Sequence, residues 1–292
     1  MAEVAPRPAA APARAGHEAC LNCGGSLVGP YCHACGQRDD PPDLPARRMV
    51  EEALGDALSW DGRAFTTLRT LVRRPGQLAE DWAAGRRVRH VAPLRLYLLV
   101  SLAYVGTLAA LDLVRDLQVP EADRVDQVGD DLATARDAMQ GKVPAESVAP
   151  VARYMVWMVS IGLNWVFVLM PLGGFGLFVL YGLRRRSYPA HFVLAIHIFT
   201  VVVLLLAARR LIQLGVRVVA GVPLSEVWHE GGRALLWGVC VLSFLYAAAS
   251  IKRFYGVGWG KAMLSAPAVT VGPIAAWFLI FAAGMVVVVS LA

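Results

Sequence analysis

The amino-acid sequence predicts an all-α, polytopic membrane protein with about five transmembrane helices and a small cysteine-rich head at its N-terminal end. Hydrophobic residues make up 57% of the 292 positions and charged residues only 17%, with a mean hydropathy of +0.52. Soluble domains carry roughly a quarter charged residues. The apolar residues are also gathered into runs that reach the roughly 20 residues a membrane span requires. Finally, four of the five cysteines form two CxxC pairs ahead of the first apolar run.

Residues 1–19 form the first predicted unit, a flexible tail. The stretch "MAEVAPRPAAAPARAGHEA" mixes alanine with proline and has no continuous apolar core of the kind found in a secretory signal. We therefore expect the cysteine-rich segment that follows to remain on the side of the membrane where the chain is made.

Residues 20–38 are predicted to be a small zinc ribbon. Two CxxC pairs separated by eight residues can bring four thiolates around one ion, and a glycine follows each pair, where a tight turn needs a positive φ. Four sulfurs complete a tetrahedral zinc site and leave no position open for water, so the sequence predicts one structural zinc. Its ligands are Cys20, Cys23, Cys32 and Cys35.

Two alternatives stay open for this cluster. The cysteines could form redox-active disulfides, although thiols are kept reduced in the cytosol. The same four sulfurs could also hold iron. His17 and His33 lie beside the cluster; because four cysteines already close the coordination shell, we expect neither histidine to be a ligand.

Residues 39–92 are predicted to be a proline-rich linker followed by basic amphipathic helices at the membrane surface. Apolar positions between residues 65 and 82 recur at helical spacing and are interrupted at Pro75. Arg69, Arg73 and Arg74 lie close to this apolar stripe. Such helices bind anionic lipid headgroups, or they pack on the cytosolic surface of the protein itself. The stripe comprises Phe65, Leu68, Leu71, Val72, Leu78 and Trp82.

Two motifs in this part of the chain resemble a bacterial family called domain of unknown function 3667. They are "CLNC…YCHACGQ" and "TLRTLVRRPGQLAEDWAAGRRVRHVAPLRLYLLVS". His90 stands where the family usually has an aromatic residue, and Arg253, Tyr255 and Lys261 resemble a later motif. The resemblance implies the same architecture and no established activity. The matching membrane-proximal residues are Arg74, Pro75, Gly76, Gly85, Arg86, Arg87, Pro93, Arg95 and Tyr97.

Residues 93–292 are predicted to be the transmembrane bundle. Its five apolar runs cover approximately residues 94–112, 153–182, 190–208, 233–250 and 267–291. Basic residues concentrate before the first run and in alternate connections, as the positive-inside rule expects for a cytoplasmic N-terminus and an outside C-terminus. We therefore expect a multi-pass protein of the bacterial inner membrane.

Polar residues inside the apolar runs are candidates for a pathway through the bundle. Asn164 and His197 are such residues. Placing a polar group in lipid costs free energy, so a polar residue at such a position suggests a functional role. The sequence contains no HExxH, Walker A, Rossmann or nucleophile-elbow motif. We therefore expect the protein not to be an enzyme.

The leading functional prediction is a non-enzymatic scaffold or adaptor that presents its zinc ribbon to a protein partner. The alternative is a transporter of a small molecule or an ion, with the ribbon as a regulatory element. The bilayer and anionic lipid headgroups are expected partners, and nucleic acid is not, because the net charge of +6 comes largely from arginines beside the apolar runs. The sequence leaves the oligomeric state open.

Overall fold

The computed structural model describes residues 16–41, 62–118, 165–182, 186–220 and 231–273, with a few helical positions after these. Over this part the chain is mostly helical and has no β-strand, which confirms the helical prediction. The helices are α1 (Arg63–Arg73), α2 (Gln77–Ala83), α3 (Pro93–Gln118), α4 (Trp165–Tyr181), α5 (Tyr188–Ala220), α6 (Gly231–Tyr255), α7 (Trp259–Ser265) and α8 (Pro267–Thr270).

Helix α5 lies at the centre of the described structure. Helices α1, α2, α3, α4 and α6 all pack against it. Consecutive residues from Val193 to Ile196 are fully buried, so every face of this part of α5 is covered. A helix that is apolar and buried all round belongs to the interior of a bundle, unlike an amphipathic surface helix.

Burial falls along α5 towards its C-terminal end. Leu211 and Ile212 are 54% and 50% exposed, whereas the residues near the start of the helix are covered. Helix α6 runs antiparallel to α5, since its last residue Tyr255 contacts His191 near the start of α5. Accordingly Trp237, near the start of α6, is 71% exposed. One end of the bundle thus carries a large uncovered apolar surface, as lipid-facing helices do.

Two helical stretches, Tyr188–Val216 and Arg233–Tyr255, are long and apolar enough to cross a membrane. Two shorter apolar stretches, Pro93–Leu108 and Met170–Tyr181, accompany them. The predicted runs 190–208 and 233–250 therefore fall inside helices of sufficient length. The runs 153–182 and 267–291 are described only in part, and the apolar stretch Pro93–Leu108 is shorter than a span requires, so a total of five spans stays a prediction.

The predicted run 153–182 is described only from residue 165 onward. There it forms one helix, α4, which continues through Pro171. Gly174 faces the backbone of Phe192 so closely that a Cβ at this glycine would lie 2.9 Å from the Phe192 Cα. Small residues allow this close approach between helices, which explains the glycine-rich stretch better than a break in the helix.

Residues 62–92, here called the collar, contain α1, α2 and the loop that leads to α3. The predicted single apolar stripe is divided: Leu71, Leu78 and Trp82 are buried, whereas Phe65 and Val72 are 75% and 59% exposed. Positions 65 and 72 lie two turns apart on a face that points away from the bundle. The Tyr246 hydroxyl donates a hydrogen bond to the Leu71 carbonyl (2.9 Å), which fixes the end of α1 to α6.

Candidate metal centre

The four N-terminal cysteines lie together, although none is linked by a disulfide. Their sulfur atoms all lie within 4.8 Å of one another. The Cys20–Cys35 and Cys23–Cys32 sulfur pairs are 3.6 and 3.5 Å apart. Four sulfurs at 2.3 Å from a tetrahedral ion would be separated by about 3.8 Å. The geometry therefore fits a four-coordinate metal ion.

The backbone around the cysteines forms two equivalent knuckles. In the first, the Cys20 N–H donates to the Gly25 carbonyl and the Gly24 N–H to the Cys20 carbonyl, both at 2.8 Å. The second repeats these bonds at Cys32, with Gly36 and Gln37 in the corresponding positions. Gly24 and Gly36 have φ of 76° and 73°, a conformation that glycine adopts without strain, as the sequence predicted.

The knuckles also prepare the sulfurs for a cation. The N–H groups of Cys35 and Ala34 lower the pKa of the Cys32 thiol to about 6. At Cys23 the Gly25 N–H favours the thiolate, yet the sulfurs of Cys32, Cys35 and Cys20 raise its pKa to about 12. A divalent cation bound among the four sulfurs would favour the thiolate form of each of them.

Asp39 closes the head at its far end. Its carboxylate contacts the His17 Nδ1 (2.6 Å) and accepts a hydrogen bond from the Gly16 N–H (2.9 Å). Burial tends to raise the pKa of Asp39, but these bonds outweigh it and hold the pKa below its usual value. His17 therefore has a structural partner outside the sulfur cluster, in keeping with the prediction that it is not a ligand.

The head is docked on the collar through Gln37. The Gln37 Nε2 donates to the Gly85 carbonyl (2.7 Å), and its Oε1 accepts from the N–H groups of Arg87 (3.0 Å) and Val88 (3.3 Å). The side chain is only 6% exposed. A buried amide with three partners fixes the orientation of the head on the collar, because losing any one partner would leave an unsatisfied polar group.

The loop that receives Gln37 is shaped by Gly85. The Gly85 and Arg86 N–H groups donate to the carbonyls of Trp82 and Asp81, which ends α2 in a Schellman motif. Gly85 has φ of 79°, and a Cβ there would lie 2.5 Å from the Leu21 side chain. Glycine at this position thus serves both the helix end and the packing of the head.

Arg87 holds the same junction from the side. Its guanidinium lies 5.2 Å from the centre of the Trp82 ring, and its Nη2 donates to the Pro41 carbonyl (3.0 Å). The loop is tied to α1 as well, because Arg63 donates to the Val88 carbonyl (2.7 Å) and the Val91 N–H donates to the Thr67 hydroxyl (3.1 Å).

Asp81 is the charged centre of the collar. One carboxylate oxygen accepts from Arg86 (2.7 Å) and Gln77 (3.0 Å), and the other contacts the His90 Nε2 (3.1 Å). Burial tends to raise the pKa of Asp81, but the bonds from Arg86 and Gln77 hold it below its usual value. Burial lowers the pKa of His90 despite the neighbouring carboxylate, so the imidazole is neutral near pH 7.

The remaining motif residues lie at the ends of the collar. Arg74, Pro75 and Gly76 form the turn between α1 and α2, and Pro93 is the first residue of α3. Arg95 and Tyr97 are buried in the first turns of α3, at 4% and 1% exposure. These residues lie at the turn inside the collar and at the start of the bundle helix α3, so their positions indicate a role in joining the collar to the bundle.

His197 is buried in α5 and lines a small cavity of about 40 Å³. His90, Arg86 and Arg87 of the collar line the same cavity. Within the described part of the chain, the Nδ1 atoms of His90 and His197 have no hydrogen-bond partner. The cavity is large enough for a few water molecules. Asn164, the other predicted pathway residue, lies outside the described residues.

Sequence reasoning identified the cysteines but missed Gln37 and Asp81 as site residues. Gln37 ends the "YCHACGQ" motif, so its place in that motif was the available signal. Asp81 has no comparable signal, because an acidic residue in a basic amphipathic stretch is equally typical of a solvated surface.

Replacing Gln37 by leucine should loosen the head from the collar. The Arg87 and Val88 N–H groups would lose their acceptor, and each buried unsatisfied group costs about 1–3 kcal/mol. We expect amide hydrogen exchange of residues 84–92 to accelerate by about tenfold or more, measured by mass spectrometry. His33→Leu, an exposed site in the same knuckle, is the matched control and should leave the exchange unchanged. Equal protection in Gln37→Leu and the wild type would contradict this mode of docking.

Asp81→Asn should destabilise the folded chain at neutral pH by about 1–3 kcal/mol, because Arg86 loses its charged partner. The folded pKa of Asp81 is depressed, so its contribution is present above the unfolded pKa of about 3.9 and is lost as pH falls through the folded pKa. The difference in the free energy of unfolding between the variant and the wild type should therefore become smaller below about pH 4. Thermal unfolding followed by circular dichroism measures it, with the exposed Glu18→Gln as control; a gap independent of pH would contradict the assignment.

Comparison with known proteins gives one family match. No curated protein and no solved structure matches the chain. Residues 61–105, which comprise the whole collar and the first half of α3, match the family described as "Protein of unknown function (DUF3667)". The resemblance that the motifs predicted is thereby confirmed for this segment of the chain.

Proposed function

We propose that the chain is a non-enzymatic membrane scaffold that presents its metal-bound head to a cytoplasmic protein partner. The observation that carries the proposal is the docking of the head. Gln37 and Leu21 fix it to the collar, while Val28 and Tyr31 are 85% and 53% exposed. A rigidly held apolar tip loses little conformational entropy when it binds, which favours recognition by a protein surface.

The proposed metal is one structural zinc. Four cysteine sulfurs complete its tetrahedral shell, so no ligand position remains for water or substrate. Its chemistry is therefore to hold the two knuckles together, in a segment too small to form a core of its own. Cys20 and Cys32 are buried, whereas Cys23 is exposed. The cysteine cluster is therefore partly accessible from the surface of the head.

The proposed location is the bacterial inner membrane, with five spans, a cytoplasmic N-terminus and the C-terminus outside. The structure supports it through the distribution of charge. The arginine-rich collar, Arg186 before α5, and Lys252 and Arg253 at the end of α6 all belong to one end of the bundle. That end would face the cytoplasm by the positive-inside rule.

Metal analysis of the purified full-length protein should find about one zinc per chain. Cys23→Ser should lose most of the metal, because three thiolates cannot close the shell. Cys240→Ser is the matched control: Cys240 is exposed on α6, outside the cluster, and its loss should leave the zinc content unchanged. Iron in place of zinc, or a metal-free chain with a Cys20–Cys35 disulfide in cells, would sink the assignment.

A photo-reactive residue at Tyr31 should crosslink to a defined protein in native membranes. The same residue at the exposed Glu18 is the positional control, and the product should disappear when Cys23→Ser is added. The captured protein, once purified, should bind the full-length chain, and Tyr31→Ala should weaken that binding by about tenfold or more. Affinity unchanged by Tyr31→Ala would overturn the proposal.

Transport is the second candidate, favoured by the small cavity that His90 and His197 both line. Reconstituted liposomes separate the two functions. A scaffold moves no solute across the liposome membrane, whereas a transporter shows solute flux that falls when His197 is replaced. Crosslinking at Tyr31 without flux supports the scaffold, and flux abolished by His197→Leu supports the transporter.

A further inference from the structure

An open cleft of about 560 Å³ lies where the collar meets the end of α6. Its walls come from the turn between α1 and α2, from the last turns of α6, and from the segment that leads into α7. Two basic side chains and several apolar ones line it. These are Pro75, Ala249, Lys252, Arg253, Gly256, Val257 and Trp259.

The basic side chains are held in different ways. Arg253 is anchored to α2, where its Nε contacts Glu80 (3.1 Å) and its Nη2 donates to Gln77 (2.6 Å). Lys252 instead lies over the Trp259 ring, with its ammonium 4.5 Å from the ring centre. Because Glu80 offsets the charge of Arg253, Lys252 contributes the net positive charge of the cleft.

The free carbonyl groups at the C-terminal end of a helix usually repel an anion, but those at the end of α6 are hydrogen-bonded. The Gly256 and Val257 N–H groups donate to the carbonyls of Arg253 (3.3 Å) and Lys252 (3.2 Å). This Schellman arrangement occupies the last carbonyls of the helix, which otherwise carry partial negative charge. The positive charge of Lys252 is therefore the main electrostatic contribution of the end of α6 to the cleft.

Apolar surface continues from the cleft onto α7. Trp259 and Met263 are four residues apart on one helical face and are 48% and 42% exposed, and the adjacent Leu264 is 84% exposed. The cleft itself lies at the end of α6, whose residues Arg233–Tyr255 are long and apolar enough to cross a membrane. A basic cleft with an apolar rim, beside a tryptophan at a span end, matches the boundary between headgroups and acyl chains.

We propose that this cleft is a binding site for the headgroup of an anionic phospholipid. Lys252 would contact the phosphate, Arg253 would form the fixed wall, and Trp259 and Met263 would border the upper part of the acyl chains. The site rests on the membrane location proposed above. Carbonate extraction of native membranes tests that location by itself, so the two can fail separately.

The test is lipid retention by the purified full-length protein after detergent exchange, read by native mass spectrometry. Vesicles of phosphatidylcholine with one-fifth phosphatidylglycerol supply the probe. The wild type should retain phosphatidylglycerol in preference to phosphatidylcholine. Lys252→Gln should lower that retention by about fivefold, the effect of one basic residue at an anionic surface.

Lys261→Gln is the matched control, because Lys261 is exposed on α7 and does not line the cleft. It removes the same charge and should leave retention within about twofold of the wild type. Equal loss in the two variants, or equal retention of the two lipids by the wild type, overturns the proposal. Displacement of the lipid by millimolar glycerol phosphate would also overturn it, since the site would then recognise a soluble phosphate.

Discussion

The side-chain amide of Gln37 makes the most extensive polar contact between the cysteine-rich head and the helical part of the molecule. It lies in the second knuckle, so its position depends on the backbone turn at Cys32 and Cys35. Its partners are three backbone groups of the loop between Gly85 and Val88. Because an amide offers both donors and acceptors, one side chain can pair with all three of these groups.

The loop in turn depends on a buried carboxylate. Asp81 uses its backbone carbonyl to cap α2 and its side chain to bind Arg86, Gln77 and His90. Buried ion pairs are weak contributors to net stability, because desolvation offsets much of the attraction. Their geometry is specific, however, since several partners must be satisfied together. The network therefore explains the fixed shape of the collar better than it explains its stability.

The sequence allowed the cysteine cluster and the helical class to be predicted because both depend on local spacing. Two CxxC pairs fix which sulfurs can meet, and Gly24 and Gly36 fix the turns. Docking of Gln37 on Gly85 could not be derived, since it joins residues far apart in the chain. The division of the collar stripe was missed for a related reason. Phe65 and Leu71 are both apolar and both fit the helical spacing. That spacing does not show that Leu71 is buried and Phe65 is exposed.

Helix α2 links the loop that holds the cysteine-rich head to the candidate lipid cleft. Asp81 and Trp82 meet the loop that holds the head, while Gln77 and Glu80 bind Arg253, which lines the cleft. The helix comprises only Gln77–Ala83, so both sets of contacts lie within two turns of one rigid element. The loop that holds the head and Arg253 of the cleft are therefore joined through one short helix. In the described structure α2 therefore contacts both the loop that holds the head and the end of α6.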